Sequence, residues 1–292
     1  MCGIAGYIGP GRAAPILLKA LSRLEYRGYD SAGICTIFGG RVLTRKDVGK
    51  VAEINSRLRM DELPGNIGIA HTRWATHGAP SQVNAHPHTD CTGRIAVVHN
   101  GVIENFMALK KELVEAGHLF SSKTDTELIP HMVEEYLKRG SDLTEAFMRT
   151  LQRLEGSYAL ALLDAGSPDI LLVARKESPL VIGIGPDFKM VASDITALLD
   201  LTRDVVFLQN GEAAFIRSDG VKILRVDTGA EIFREPKRLD ITVEMAEKQG
   251  YPHYMLKEIY EQPESLKNAL RIQEVYADLV AELLDRCLLY TS

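Results

Sequence analysis

The sequence predicts an α+β fold in which runs of short strands enclose a central block of helices. Three observations carry this. The chain opens as a strand, apolar residues take helical spacing between residues 105 and 154, and short strands separated by turns resume after Gly156. Strands and helices that segregate along a chain in this way build α+β layers rather than a doubly wound parallel sheet.

The first strand spans Gly3–Ile8 and is ended by Gly9, Pro10 and Gly11. A helix follows with Pro15 in its first turn, where a missing N–H costs nothing. Leu17, Leu21 and Leu24 then share one face. Further strands are expected over Ser31–Phe38, 42–46, 67–71 and 95–99. Residues 105–116 and 125–138 read as helices, with Gly117 and Gly140 as stops. Pro130 is expected to kink the second near its start. A third helix is expected over 143–154. Short strands then cover 158–163, 170–175, 180–184, 190–192, 205–208 and 213–216. The first domain is placed at residues 2–233. A polar, charged stretch beginning at Arg234 reads as a linker to residue 253, and residues 254–292 as the helical start of a further domain. In that last part Ile272, Val275, Leu279 and Leu283 form an apolar stripe that needs a partner surface.

Composition narrows the function. Of 292 residues, 46% are hydrophobic and 25% charged, which is ordinary for a globular protein. The net charge of -5 is spread over both signs, so no basic face argues for nucleic acid or an acidic membrane. A small molecule is the expected partner. Cysteines at positions 2, 35, 91 and 287 are far apart, without a C-x-x-C pair, and fit neither a disulfide framework nor a zinc ribbon. No signal-peptide pattern and no membrane-spanning apolar run is present, so a reduced, cytoplasmic protein is expected.

Four segments could carry chemistry. Cys2 follows Met1 directly, and removal of Met1 would leave a thiol and a free α-amino group on one residue. The thiol can attack while the amine, with an ordinary pKa of roughly 7.7–8.0, shuttles the proton. A match this short is mostly incidental when read alone. G-I-A-H-T-R-W-A-T-H-G from Gly68 follows a strand. Its Arg73 suits bidentate capture of a carboxylate, with Trp74 beside it to exclude water; a surface loop with one buried tryptophan fits equally. V-V-H-N-G-V-I-E-N from Val97 ends a strand at a sharp Asn100-Gly101 turn. There a side-chain N–H and a backbone N–H could stabilise an oxyanion, although N-G is also a favoured hairpin turn. In S-S-K-T-D-T-E from Ser121, Thr124 with Glu127 completes a capping box, and the residues alone favour that over a ligand-binding Asp125. His71, His77, His86, His88 and His99 cluster in sequence. With no H-E-x-x-H helix, no cysteine pair and only Asp90 as a nearby carboxylate, they are expected to order loops rather than hold a metal.

The combination resembles the glucosamine-6-phosphate synthase (glutamine:fructose-6-phosphate aminotransferase) family. The match rests on C-G-I-A-G at the start, L-E-Y-R-G-Y-D-S-A-G from Leu24, H-T-R-W-A-T-H-G from His71 and N-A-H-P-H from Asn84. H-N-G-V-I-E-N from His99, T-D-T-E from Thr124 and Y-M-L-K-E-I-Y-E-Q-P from Tyr254 complete it. The N-terminal cysteine and the N-G pair are common to class II amidotransferases, the other segments more particular. The resemblance implies an N-terminal-nucleophile hydrolase fold, a four-layer αββα sandwich. It also implies that Cys2 attacks the side-chain amide of L-glutamine, with Asn100 and Gly101 binding the oxyanion. Arg73 would clamp the α-carboxylate and Asp125 the α-ammonium, while Trp74, Thr76 and His77 lie on a closing loop and Arg27 positions the N-terminus. No cofactor and no metal is implied. In the whole enzyme ammonia would pass to a sugar-isomerase half that binds fructose 6-phosphate, and the enzyme would be a homodimer. This chain ends early in that half, in C-L-L-Y-T-S, which fits a truncated reading frame. The expectation is therefore a glutaminase that releases ammonia. Rival readings are other class II amidotransferases, or a catalytically silent glutamine sensor.

Overall fold

Side-chain alternation in the first strand sets the layer order. Strand β1 (Gly3–Ile8) sends Ile4 and Ile8 to one face and Ala5 and Tyr7 to the other, and both faces are buried. Such a strand must be covered on both sides. Helix α1 (Ala13–Leu24) covers one side with Leu17, Leu21 and Leu24, which are fully buried, and Pro15 sits in its first turn as expected. The computed structural model describes residues 2–74, 78–240, 251, 255–263 and 265–267. Thr76, His77 and the stripe of Ile272, Val275, Leu279 and Leu283 lie outside the described residues.

Strands β2 (Ser31–Phe38) and β3 (Arg41–Val48) form a hairpin, followed by helix α2 (Val51–Leu58) and strand β4 (Ile67–Arg73). The short β5 (His88–Thr89) precedes β6 (Ile95–Ile103). Helices α3 (Phe106–Glu115), α4 (Leu128–Lys138) and α5 (Leu143–Arg153) make up the middle block. Then come β7 (Gly156–Asp164), β8 (Leu171–Lys176), β9 (Val181–Ile184), β10 (Lys189–Ala192), β11 (Asp204–Phe207) and β12 (Glu212–Ile216). Strands β13 (Val221–Arg225), β14 (Glu231–Ile232) and β15 (Lys237–Arg238) close the first compact unit.

Two sheets result, with the orders β15-β11-β9-β10-β1-β4-β2-β3 and β14-β13-β12-β8-β7-β6-β5. Every pairing is antiparallel. Ile4, Ile8, Cys35 and Ile69 of the first sheet pack on Val98, Ala161, Leu163 and Val173 of the second. The outer face of the first sheet packs Ala5, Ile34 and Met190 on α1 and α2. The outer face of the second packs Val97, Leu160 and Leu162 on α4 and α5. The order is helix, sheet, sheet, helix, which is the αββα sandwich.

Three local expectations change. Helix α4 begins at Leu128, not at residue 125, so Pro130 falls in its first turn. It removes no intrahelical hydrogen bond there, and the expected kink has no cause. The turn expected at Asn100-Gly101 is absent, because β6 runs on to Ile103 and stays paired with β7 through Gly101↔Tyr158 and Ile103↔Gly156. The first compact unit ends at Asp240 rather than at 233. Arg234 makes a two-pronged ion pair with the buried Glu212 (2.7 and 2.8 Å), and β15 pairs with β11, so residues 234–240 belong to the sandwich and not to a linker. In the second unit (Ile241–Ser292), residues 255–263 are helical and Tyr260 stacks on Tyr251 at 5.6 Å.

Candidate active site

The thiol-bearing residue is held by its own carbonyl. Cys2 lies just before the first pair of β1, Gly3↔Thr72. Its carbonyl oxygen accepts hydrogen bonds from Arg27 Nε at 3.1 Å and from Asn100 Nδ2 at 2.9 Å. Arg27 stands on the 3-10 turn Glu25–Arg27 that ends α1, and pairs with Asp194 at 3.2 Å. Asp194 also accepts from the Tyr26 hydroxyl at 2.9 Å. Ser193 grips Ile4, two residues on from Cys2, twice: its Oγ accepts from Ile4 N and its N–H donates to Ile4 O, both at 3.0 Å. The start of β1 is thus fixed from α1, from β6 and from the segment after β10.

Gly28 has a steric reason to be glycine. A Cβ there would lie 2.7 Å from both the Arg73 carbonyl carbon and the Trp74 nitrogen. Only a residue without a side chain lets the Arg27 turn lie against the end of β4. That contact brings the Trp74 N–H to 3.1 Å from Cys2 Sγ. Burial pushes the thiol pKa up, opposed chiefly by this N–H and then by the positive charges of the N-terminus, Arg73 and Arg27.

Asn100 reaches across from the second sheet. Positions 96, 98 and 100 share the inter-sheet face of β6, with Ala96 and Val98 in the core between the sheets. The Oδ1 of Asn100 lies 2.9 Å from His71 Nε2, which is also 3.1 Å from the His99 carbonyl. Burial drives the His71 pKa down to about 3, so the ring is neutral and carries one hydrogen. Both neighbours of Nε2 are acceptors, which assigns that hydrogen to Nε2. The amide is therefore oriented with Oδ1 toward His71 and Nδ2 toward Cys2. The next residue, Gly101, has φ +130° and is exposed. A Cβ there would sit 2.1 Å from the Ser157 carbonyl oxygen on β7.

The T-D-T segment is bolted down on both sides of Asp125. Thr126 Oγ1 lies 2.9 Å from His86 Nε2 and 3.0 Å from His99 Nδ1. Thr124 Oγ1 lies 3.1 Å from His88 Nε2. Asp125 itself accepts from the Ile103 N–H at 2.9 Å. The capping box expected from Thr124 and Glu127 does not form. Glu127 occupies the N-cap position without a side-chain cap and instead accepts from Ser121 N (2.8 Å), Ser121 Oγ (2.7 Å) and Ser122 N (2.6 Å). The loop before α4 claims that carboxylate, which leaves the hydroxyls of Thr124 and Thr126 to the histidines.

Arg73 ends β4 and is buried, with Nη2 donating to the Gly78 carbonyl at 3.1 Å. Burial lowers its pKa, while the negative charges of Cys2, Asp30 and Asp125 act against that shift. The structure thus brings Cys2, Arg27, Arg73, Asn100, Gly101 and Asp125 into one neighbourhood. Trp74 does not wall it off. Its side chain is half exposed and stands edge-on to Tyr29 at 5.5 Å.

Several contributors escaped the sequence reading. His71 orients Asn100, and Thr126 joins two histidines; both lie inside segments already singled out. Lys46 Nζ donates to the carbonyls of Ala85 (2.6 Å) and Pro87 (2.8 Å), and burial lowers its pKa to about 8. Ser193 and Asp194 carried no sequence signal, because nothing local ties them to a strand some 190 residues away.

Stacked antiparallel sheets between helices, with a cysteine leading into the first strand and an asparagine of the opposite sheet on its carbonyl, define the N-terminal-nucleophile hydrolase architecture. The glutamine amidotransferase domain family matches residues 71–200. A glutamine--fructose-6-phosphate aminotransferase [isomerizing] of Pyrococcus horikoshii is 54% identical over 97% of this chain and 48% of its own length. The one of Thermococcus kodakarensis is 50% identical over 97% and 47%. A glutamine phosphoribosylpyrophosphate amidotransferase from B. subtilis superposes with a TM-score of 0.67 at 28% identity, over 78% of this chain and 50% of that one. The chain is thus similar to glutamine amidotransferases over most of its length. It spans about half the length of the curated relatives it matches.

Proposed function

We propose that this chain hydrolyses L-glutamine to glutamate and ammonia through a thioester on Cys2. The observation that carries the reading is the oriented Asn100 amide, whose Nδ2 meets the Cys2 carbonyl at 2.9 Å while the Trp74 N–H meets the thiol. One Nδ2 hydrogen holds the nucleophile in place. The second, with the Gly101 N–H, serves an oxyanion formed beside Cys2.

Met1 must leave first, since until then the Cys2 nitrogen is a peptide nitrogen and no base. The freed amine takes the thiol proton as sulfur attacks the amide carbon. It then gives that proton to the departing nitrogen, which leaves as ammonia. Water adds to the thioester with the same amine as base, and glutamate leaves. Arg73 receives the α-carboxylate of glutamine and Asp125 its α-ammonium, supported by the charges that the buried guanidinium senses. Trp74, Thr76 and His77 form the loop that closes over the substrate; the exposure of Trp74 is consistent with an open state. Arg27 sets the N-terminus through the Cys2 carbonyl.

Relatives of about twice this length are named as aminotransferases between glutamine and fructose 6-phosphate. We extend that to this chain as the glutamine half of a homodimeric, cytoplasmic enzyme making glucosamine 6-phosphate. No helix among the described residues is long and apolar enough to cross a membrane. The test is glutamate release from glutamine by the purified chain, with intact mass recorded and Cys2→Ala alongside. Glutamate production that needs Cys2, at a mass lacking Met1, supports the proposal. A chain with a free N-terminal cysteine and no glutamate production overturns it.

A further inference from the structure

A second cluster lies on the helical side of the other sheet, built from residues that the proposed reaction does not use. Cys91 follows β5, His118 follows α3, and His131 and Glu134 stand one turn apart on α4. One donor atom from each falls within 4.8 Å of all the others. The individual separations are Cys91 Sγ to His118 Nδ1 3.7 Å, Cys91 Sγ to His131 Nδ1 3.5 Å, His118 Nδ1 to Glu134 Oε2 3.1 Å and His131 Nδ1 to Glu134 Oε2 3.4 Å.

Those separations match four of the six edges of a metal tetrahedron. Zinc bonds to sulfur at about 2.3 Å and to nitrogen or carboxylate oxygen at about 2.0–2.2 Å, which at tetrahedral angles sets sulfur to nitrogen at about 3.6 Å and nitrogen to oxygen at about 3.3 Å. The four edges fall within a few tenths of an ångström of these values.

Carboxylates crowd the two rings. His118 meets a carboxylate at each nitrogen, Glu134 at Nδ1 and Glu135 Oε2 at Nε2, both at 3.1 Å. His131 has Glu134 at Nδ1, while its buried Nε2 has no hydrogen-bond partner and lies 3.8 Å from Glu127 Oε1. A neutral imidazole has one N–H and can serve only one of two carboxylates. The two rings stand edge to face with centroids 5.2 Å apart, and the Nδ1 of each lies against Glu134 Oε2. A cation fits on the Nδ1 side, where these donor atoms converge. Each Nδ1 lone pair and Glu134 Oε2 then point at the metal, and the Nε2 of His118 meets Glu135 at 3.1 Å, the usual outer support of a metal-bound histidine.

The surroundings suit the same reading. The Leu119 N–H lies 3.4 Å from Cys91 Sγ, where it supports a thiolate. Lys138 Nζ lies 2.7 Å from the outer oxygen Oε1 of Glu134 and holds Oε2 inward. Glu134 Oε2 also accepts from the Cys91 N–H at 3.2 Å. A thiolate, a carboxylate and two neutral imidazoles together neutralise a divalent ion. The histidine and glutamate side chains are buried, while Cys91 is exposed and offers an entry path.

We propose that Cys91, His118, His131 and Glu134 form a structural site for a divalent transition-metal ion, zinc by donor set, that clips the β5–β6 loop to the loop before α4. The set is closed at four protein ligands, as structural zinc sites are, so no reaction is assigned to it. This departs from the expectation of no metal, which rested on the histidines between positions 71 and 99, the scattered cysteines and the family resemblance.

The test is metal binding by the whole chain after treatment with a chelator. Zinc should be taken up at one equivalent and raise the thermal midpoint. Cobalt should give a sulfur-to-metal charge-transfer band with the intense visible bands of a tetrahedral ion. Cys91→Ser should abolish that charge-transfer band and weaken zinc binding by more than roughly tenfold. Glu134→Gln should also weaken binding, and Cys2→Ala should leave uptake and spectrum intact. Absence of stoichiometric uptake, a cobalt spectrum without the thiolate band, or a C91S chain binding as tightly as the parent would overturn the site.

Discussion

Replacing His71 with phenylalanine isolates the role assigned to its single hydrogen. Phenylalanine keeps an aromatic ring against His86, on which His71 stacks at 4.1 Å and 28°, so packing changes little. What disappears is the donor to Asn100 Oδ1 and the His99 carbonyl. Leaving a buried acceptor unserved costs about 1–3 kcal/mol, which for a domain of this size lowers Tm by roughly 2–12 °C. The effect on rate has a separate ceiling. Without His71 the Asn100 amide can turn over, presenting Oδ1 rather than Nδ2 to Cys2, so at most the contribution of one oxyanion donor is lost. That is roughly 2.7–4 kcal/mol, or on the order of 10²–10³ in kcat. Glutamate release at saturating glutamine should therefore fall in H71F, by no more than in Asn100→Ala. The two changes act on one amide, so the double variant should be no slower than N100A alone. Full activity in H71F, or a double variant slower by the product of the two single effects, would refute the orientation argument.

Other expectations follow from single contacts. Gly101→Ala combines φ +130° with a Cβ 2.1 Å from the Ser157 carbonyl, so β6 and β7 must part locally; a loss of roughly 1–3 kcal/mol from backbone strain alone should appear in urea unfolding. Burial depresses the pKa of His71, His86, His88 and His99 below the ordinary 6.5. Between about pH 6.5 and, for His71, about pH 3, the unfolded chain binds protons that the folded chain does not. Their contribution is complete above about pH 6.5 and is lost as pH falls, so the urea midpoint should drop from about pH 7.5 to pH 5; a flat midpoint would contradict the neutral assignments. Arg234→Ala strands the buried carboxylate of Glu212, and a chain ending at Asp240 should melt above one ending at 233. Equal melting would return residues 234–240 to the linker.

The layer order was legible because it rests on periodicity. Strands such as Gly3–Ile8 and Ser31–Phe38 came out to the residue, since glycines follow both at once and both faces are buried. What escaped was short or half-exposed. Helix α2 buries only Val51 and Ile54, too few for a helical stripe to stand out. Strands β14 and β15 have two residues each and exist only because β13 and β11 pair with them. Within the site, Asn100-Gly101 was found but misread as a turn, because local propensity favours a turn there and only the tertiary pairing with β7 overrides it. Glu127 was read as a cap because its spacing from Thr124 suits one. The competing donors at Ser121 and Ser122 act through a loop conformation that no spacing rule describes.

The mid-strand position of Asn100-Gly101 has a consequence for how the site is held. In a strand, consecutive residues face opposite ways, so Asn100 joins Ala96 and Val98 between the sheets while His99 turns toward the helices and meets Thr126. One strand therefore supplies the donor for Cys2 on one face and the anchor for the Asp125 segment on the other. A turn at the same place would have freed both. The partners that fix these faces, His71, His86 and His99, are neutral rings sealed from water. They direct hydrogens without adding charge beside the thiol, and the cationic field there is left to the N-terminus, Arg73 and Arg27, which oppose the rise of the Cys2 pKa. A donor set fixed before the substrate arrives needs no reorganisation when negative charge develops. The site sits where the two sheets meet because only there can one strand of each sheet hold the same cysteine.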